Sequence, residues 1–298
     1  MSSDLRIDHR KGLLLTFAGG LLLSFDVPLL RLAASDAWTL TFVRGIMVFA
    51  AVLAYWGWRR MRGRGAPALI PGWAGFTVAL IYGVSNFMFM AAVHLTTTAN
   101  LVFILAFMSM FAALLSFVFL GERIALSTGL AMAAALSGVA LIVGDGVGRG
   151  GLWGDLLAVG VAFGMAAALT LTRWSGRDMS LTPGPGHLFS SFLALFFAAP
   201  VMLEPAQWGW LGINGFFVVP LALGMLALGP RYISAPEVSM FFLLETVLAP
   251  IWVWLILDEH PSRMSLVGGT IVIAAIALHS LWQLTRLRER KQAARAAG

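Results

Sequence analysis

Read for apolar and polar positions, the chain is a series of long apolar runs separated by short polar breaks. Ten runs stand out, at roughly 12–32, 37–58, 71–93, 96–120, 124–144, 153–175, 181–203, 209–229, 234–257 and 263–284. Each approaches the roughly 20 residues a helix needs to cross about 30 Å of hydrocarbon. The runs are continuous rather than alternating in polarity, and rich in Leu, Ala and Gly, which argues against barrel strands. Backbone groups in lipid must then bond within their own segment, as helices. The pattern predicts an all-α polytopic membrane protein with ten transmembrane helices.

The layout occurs twice. Phe241–His260 reads FFLLETVLAPIWVWLILDEH, and 137 positions earlier a similar layout closes in FVFLGER, with Glu122 where Glu259 falls. Two copies of five spans point to a duplicated unit. Because five is odd, the copies lie in the membrane with opposite topology, an arrangement common in alternating-access carriers with a midplane site. The expected organisation is 1–144 as a first five-helix repeat, 153–284 as a second, inverted one, and 285–298 as a basic cytoplasmic tail. The repeats join through the glycine-rich GDGVGRGGLW. Gly160-x-x-x-Gly164 allows close helix contact, for which packing is sufficient reason.

Composition narrows the classes. Only 11% of the 298 residues are charged, against about 25% in soluble domains. Cysteine is absent, which excludes disulfides, thiolate metal sites and Cys nucleophiles. The net charge of +6 is accounted for by basic loops flanking spans, without nucleic acid. With the N-terminus inside, sixteen Lys and Arg fall on inside segments: Arg6, Arg10, Lys11, Arg59, Arg60, Arg62, Arg64, Arg123, Arg173, Arg177, Arg231, Arg286, Arg288, Arg290, Lys291 and Arg295. Only Arg31, Arg149 and Arg263 fall outside. The bias predicts both termini in the cytoplasm and an even span count. The first span is read as retained, and Trp38, Trp56, Trp58, Trp73, Trp153, Trp174, Trp208 and Trp210 as interface anchors.

Ionisable groups within hydrocarbon cost at least about 2.5–3.5 kcal/mol each on insertion scales, so each needs a reason. Asp26 and Arg44 fall at nearly the same depth on spans 1 and 2. They read either as a structural ion pair or as a pair that binds or gates. Glu245 lies near the middle of span 9, with no basic residue or second carboxylate of another span clearly at its depth. Three roles stay open for it: a neutral hydrogen-bonded acid, a contact for a substrate amine, or a proton-coupling site. Glu237, His187 and His279 could cluster near the inner mouth, or serve only in interfacial hydrogen bonds. Tyr82, Ser85, Asn86 and Phe89 follow helical spacing on span 3, and Asn100 opens span 4. They read as a polar lining or as interhelical hydrogen bonds. Phe89, Met108 and Phe241 are weaker lining candidates.

These residues resemble a known family. Two five-span inverted halves, closing in FVFLGER and WLILDEH, look like the drug/metabolite transporter superfamily and, more narrowly, its EamA-type branch. APEVSMFFLLETVLAPIWVWLILDEHPS, with Glu245, Pro250, Trp254 and Glu259, resembles the second-half signature. SFDVPLLRLAASDAWTLTFVRG, with Asp26, Arg31, Trp38 and Arg44, resembles the segment joining spans 1 and 2. The resemblance covers essentially the whole chain, although span 4 lacks the proline often found there. It implies an inner-membrane secondary transporter of small metabolites, with amino-acid-like substrates leading, export the expected direction, and the site between the halves. A proton-coupled exporter of drugs or organic cations is the alternative, and a non-transporting scaffold a lesser one. The expected partners are a small-molecule substrate and the lipid bilayer, with homo-oligomerisation open. No catalytic residue, metal or cofactor is expected: HExxH, G-x-S-x-G and the phosphate-loop motif are missing.

Overall fold

A computed structural model describes residues 9–63, 65–96, 98–122, 125–143, 151–198, 203–257 and 263–296. The described part is helical. In chain order the helices are α1 (His9–Leu23), α2 (Asp26–Ala33), α3 (Ala37–Met61), α4 (Gly72–Leu95), α5 (Thr98–Ala106), α6 (Met108–Leu120) and α7 (Leu126–Val143). The second half supplies α8 (Leu152–Ser175), α9 (Pro183–Ala194), α10 (Pro205–Ile213), α11 (Val219–Leu228), α12 (Ala235–Leu257) and α13 (Arg263–Ala296). Among the described residues, seven segments are long and apolar enough to cross a membrane: His9–Ala33, Ala37–Met61, Gly72–Ala92, Phe103–Leu120, Leu152–Ser175, Pro205–Arg231 and Ala235–Ile256. Leu126–Leu141 and Leu266–Trp282 are shorter apolar helices, and α9 ends near residues 199–202, outside the described set. The molecule is thus an all-α polytopic membrane protein, and its helices fall at the ten positions the apolar runs mark. The junction 144–150 and the acidic turn Asp258-Glu259-His260 also lie outside the described residues.

The duplication is visible in the packing. The heaviest packing joins one half to the other: α4 on α8, α7 on α13, α3 on α9, α4 on α9, α1 on α11, α6 on α8 and α6 on α12. Each contact either has its counterpart with the halves exchanged (α4–α8 with α11–α1) or is its own counterpart, as expected of two copies related by a pseudo-two-fold axis. Where backbones approach most closely, glycine is required. A side chain at Gly45 on α3 would collide with Ser191 Oγ and the His187 carbonyl of α9.

Three spans are broken inside the membrane. Span 1 was expected to be continuous, but α1 ends at Leu23 and α2 starts at Asp26. Pro28 explains this, since it cannot donate to Ser24 four residues back. Span 4 breaks at Phe107, between α5 and α6. Span 8 takes a π-helical turn, Asn214–Val218, just ahead of Pro220. In contrast, α13 runs unbroken to Ala296, so the basic segment from residue 285 continues the last helix.

Candidate functional site

The break in span 1 puts Asp26 in the first turn of α2, where unpaired N–H groups favour a carboxylate. Arg44 on α3 reaches it: Nη1 donates to Oδ1 at 3.0 Å and to Oδ2 at 3.1 Å. Nη2 of the same guanidinium donates to Asn86 Oδ1 on α4 at 3.1 Å. Asn86 Nδ2 donates to Ser190 Oγ on α9 at 2.9 Å, and Ser190 Oγ donates to the His187 carbonyl. From the π-turn, Asn214 Nδ2 donates to Asp26 Oδ1 at 2.6 Å. One connected network therefore runs through five helical segments. Asp26, Arg44 and Asn86 come from the first half; Ser190 and Asn214 come from the second.

Glu245 on α12 lies close enough to Asp26 and Arg44 to feel both charges. Its side chain is only partly buried, and no hydrogen bond or ion pair reaches it among the described residues. This corrects the sequence expectation on both counts, because a basic residue and a second carboxylate are at hand. Counting residues along a span gives depth but not which helix is next door. Trp252, two turns along α12, stacks on Phe25 with ring centroids 4.6 Å apart, and its Nε1 donates to Ser24 Oγ at 2.8 Å. The broken corner of span 1 is thereby fixed to the helix that carries Glu245.

His187 also departs from expectation. It was placed at the inner mouth with Glu237 and His279, but α9 lies along α3, and His187 is buried near Arg44. Tyr82 is buried with Val78, Ala168 and Ala227 and makes no hydrogen bond among the described residues, although Asn86 is one turn away. Met108 and Phe241 pack in the main core, and Phe89 against Ala92, Leu101 and Ala158. Asn100 is in the first turn of α5, with its side chain outside the described set. Sequence reasoning missed Ser190 and Asn214. The available signal was the same cost rule used for the charges: Asn214 is a wholly buried amide inside an apolar run.

A second set gathers at the end of the bundle where α3 and α8 finish in arginines, here called the arginine end. Glu237 Oε1 lies 3.4 Å from His279 Nε2 and 3.8 Å from His9 Nε2, tying α12 to α13 and α1. Its Oε2 accepts from the Ser234 N–H at 2.9 Å and from Ser234 Oγ at 2.8 Å, capping α12. Arg173 pairs with Glu122 at 3.0 Å and donates to the Pro230 carbonyl, and Arg231 lies 3.5 Å from Asp178. His9 was not anticipated. At the opposite end Asp36 caps α3, accepting from the Trp38 and Thr39 N–H groups at 3.0 Å. Burial opposes charge on Asp36, but the hydrogen bonds from Thr39 and Trp38 outweigh it and hold the carboxyl below its usual range. Among the described residues no group of three or more His, Asp or Glu could hold a metal ion.

Comparison with known proteins fits this arrangement. The model of the EamA-like transporter family matches residues 10–144 and again 152–281. A curated relative, the probable terminal-alkyne amino-acid exporter of Streptantibioticus cattleyicolor, is 29% identical over 252 residues, covering 78% of this chain and 79% of that protein. A solved crystal structure superposes with a TM-score of 0.77 at 17% identity, over 92% of this chain and 97% of its own, which speaks to the fold alone.

Proposed function

The chain belongs to the EamA-like transporter family, and from that premise we propose that it is a secondary carrier exporting small ammonium-bearing metabolites, amino acids foremost, by alternating access. The observation that carries this reading is the unbalanced charge at the junction of the halves. Arg44 is committed to Asp26 and Asn86, so among the described residues Glu245 has no cation of its own. An ionised Glu245 would leave one net negative charge in hydrocarbon, which is expensive. A substrate ammonium restores the balance. The remaining polar groups, from both halves, are suited to orient a carboxylate or amide on the same ligand. A relative described as a probable amino-acid exporter supports the substrate class and the direction.

A proton can supply the same missing charge, and the nearness of Asp26 to Glu245 favours this second reading. Proton and ammonium would then compete for one carboxylate, which is the logic of exchange. The sixteen-to-three distribution of Lys and Arg supports a bacterial inner-membrane setting with both termini cytoplasmic. On this reading the chain is a carrier rather than an enzyme or scaffold.

The test starts from a thermal-midpoint screen of the purified protein against amino acids and small amines, since ligands of the native state raise the midpoint. Proteoliposome flux of the best ligand is then compared for wild type and Glu245→Gln. Ammonium contact predicts a raised apparent dissociation constant with a largely flat pH dependence. Proton coupling predicts loss of pH-driven accumulation while substrate-for-substrate exchange survives. A nearly silent Glu245→Gln would overturn both, leaving Glu245 a packing residue.

A further inference from the structure

The arginine end holds a buried titratable cluster that the central network does not involve. Glu237 sits in the first turn of α12, His279 near the close of the apolar part of α13, and His9 at the start of α1. Both imidazoles turn Nε2 toward one carboxylate oxygen, Glu237 Oε1, at 3.4 Å from His279 and 3.8 Å from His9. The side chains of Glu237 and His279 are each 5% exposed and that of His9 16%. Both separations exceed the roughly 2.7–2.9 Å of a charge-assisted hydrogen bond. His9 Nε2 and both nitrogens of His279 have no hydrogen-bond partner among the described residues. The charges around the cluster are otherwise matched. Arg173 of α8 acts on His9 but is paired with Glu122, just past α6, and Arg231 of the 3-10 turn Gly229–Arg231 lies against Asp178. Arg10 and Lys11 are exposed, with Lys11 over the Tyr232 ring. Helices α5, α7 and α11 carry no titratable side chain. Helix α2 meets α12 at the central network, where Asp26 lies near Glu245. At 1.5 Å per residue Glu245 is about 12 Å further along α12 than Glu237. The cations of α13 from Arg286 onward have their side chains outside the described set.

We propose that His9, Glu237 and His279 form a proton-binding site that fastens the two halves together at the arginine end. Counting charge among the described groups sets the direction. With Glu237 ionised and both imidazoles neutral, the cluster together with Arg173 and Glu122 sums to one net negative charge. One proton on an imidazole nitrogen brings the sum to zero and makes the contact with Glu237 charge-assisted, hence shorter and stronger. The proton is taken from the solvent at the arginine end, next to exposed Arg10. Its loss leaves a buried carboxylate uncompensated, a cost relieved when the helices part and water enters. His9 belongs to the first half and Glu237 and His279 to the second, so parting them opens that end. Imidazole changes charge between about pH 5 and 8, which makes the link sensitive there. The proposal rests on the carrier reading only for the motion of the halves, and gives no role to Glu245.

The test uses the full-length protein in phosphatidylcholine nanodiscs, spin-labelled at Met61→Cys and Leu281→Cys. Both positions are exposed at the arginine end, one on each half. Pulsed electron–electron resonance reads the distance between the labels from about pH 5 to about pH 8. The ratio of the short to the long distance should fall as pH rises, by up to about tenfold per pH unit for one linked proton. Glu237→Gln, neutral at every pH, should abolish the dependence. His9→Gln, which removes the imidazole of the first half, should abolish it too, so the proposal does not depend on one variant folding. Glu245→Gln should keep it. A dependence that survives both cluster variants, one that vanishes with Glu245→Gln, or a distance that does not respond to pH without either change would each overturn the proposal. An intact dependence in a protein that moves no substrate would sink the carrier reading and leave the proton site standing.

Discussion

Removing Arg44 is the most informative single perturbation of the network. Its side chain is 5% exposed and that of Asp26 15%, so neither charge can turn to bulk water. Arg44→Ala strands Asp26 with only Asn214 and the α2 N-terminus for support. Asp26→Ala strands Arg44 with only Asn86. Leaving one partner of a buried pair uncompensated costs about 3–5 kcal/mol. The double variant removes both charges and leaves two amides short of a partner, each worth about 1–3 kcal/mol. Its loss should therefore fall short of the summed single losses by about 4 kcal/mol. The measurement is a double-mutant cycle on reversible unfolding in mixed micelles, with Arg44→Lys as a further arm. Lysine keeps the charge but gathers its donors on one nitrogen and lacks the planar fork that spans Asp26 and Asn86, so it should recover only part of the stability. Single losses that add to the double within about 0.5 kcal/mol would refute the pairing and with it the connected network.

Three further outcomes are expected. A lone cysteine at position 290 of this cysteine-free chain should react with an impermeant reagent only after cells are opened; labelling of intact cells would reverse the orientation. Asn86→Ala cuts the bonds to Arg44 and Ser190, so it should cost about 1–3 kcal/mol and also reduce flux per folded molecule; unchanged flux per folded molecule would reduce Asn86 to a structural link. Asp36→Ala should cost about 1 kcal/mol by uncapping α3. The carboxyl of Asp36 is held below its usual range, so this contribution is present above the unfolded-state value and lost as pH falls through the folded one. A cap effect that persists unchanged in acid would contradict that assignment.

Span positions and the duplication were legible because hydrophobic run length is a direct physical requirement of the bilayer. The same is true of Asp26 and Arg44, where depth alone brought two opposite charges together. Depth failed for His187, because α9 packs along α3 through Gly45 and draws that histidine toward Arg44 instead of the arginine end. It failed for Glu245 too, whose neighbours are set by the broken corner at Ser24–Phe25. That break did carry a signal in Pro28, but in membrane helices a proline marks a possible irregularity, not its direction. Asn214 was legible in principle and overlooked in practice, since an uncharged amide draws less attention than a carboxylate although it too must find a partner.

The halves are alike in packing and unlike in chemistry, and the contrast bears on mechanism. The two copies are offset by 142 residues at their starts and 137 at their ends. Over that range Asp26 falls at 163–168, Arg44 at 181–186 and Asn86 at 223–228, and in the other direction Glu245 falls at 103–108, Ser190 at 48–53 and Asn214 at 72–77. No charged member of the central set has a charged counterpart. Symmetric contacts suit a rocking motion, because the two extreme states can then be built from exchanged conformations of equivalent helices. A symmetric set of charges would instead bind a substrate in two opposed orientations, and would bury twice the ionic cost. Dividing unlike groups between the copies avoids both. Asp26 and Arg44, within the first half, can stay paired as the halves move. The contacts that must change are those crossing between them: Asn86 with Ser190, Asn214 with Asp26, and Glu245 with the pair. On the proposed reading, these crossing contacts would connect occupancy of the site to the relative position of the halves, which is what a carrier requires of its binding residues.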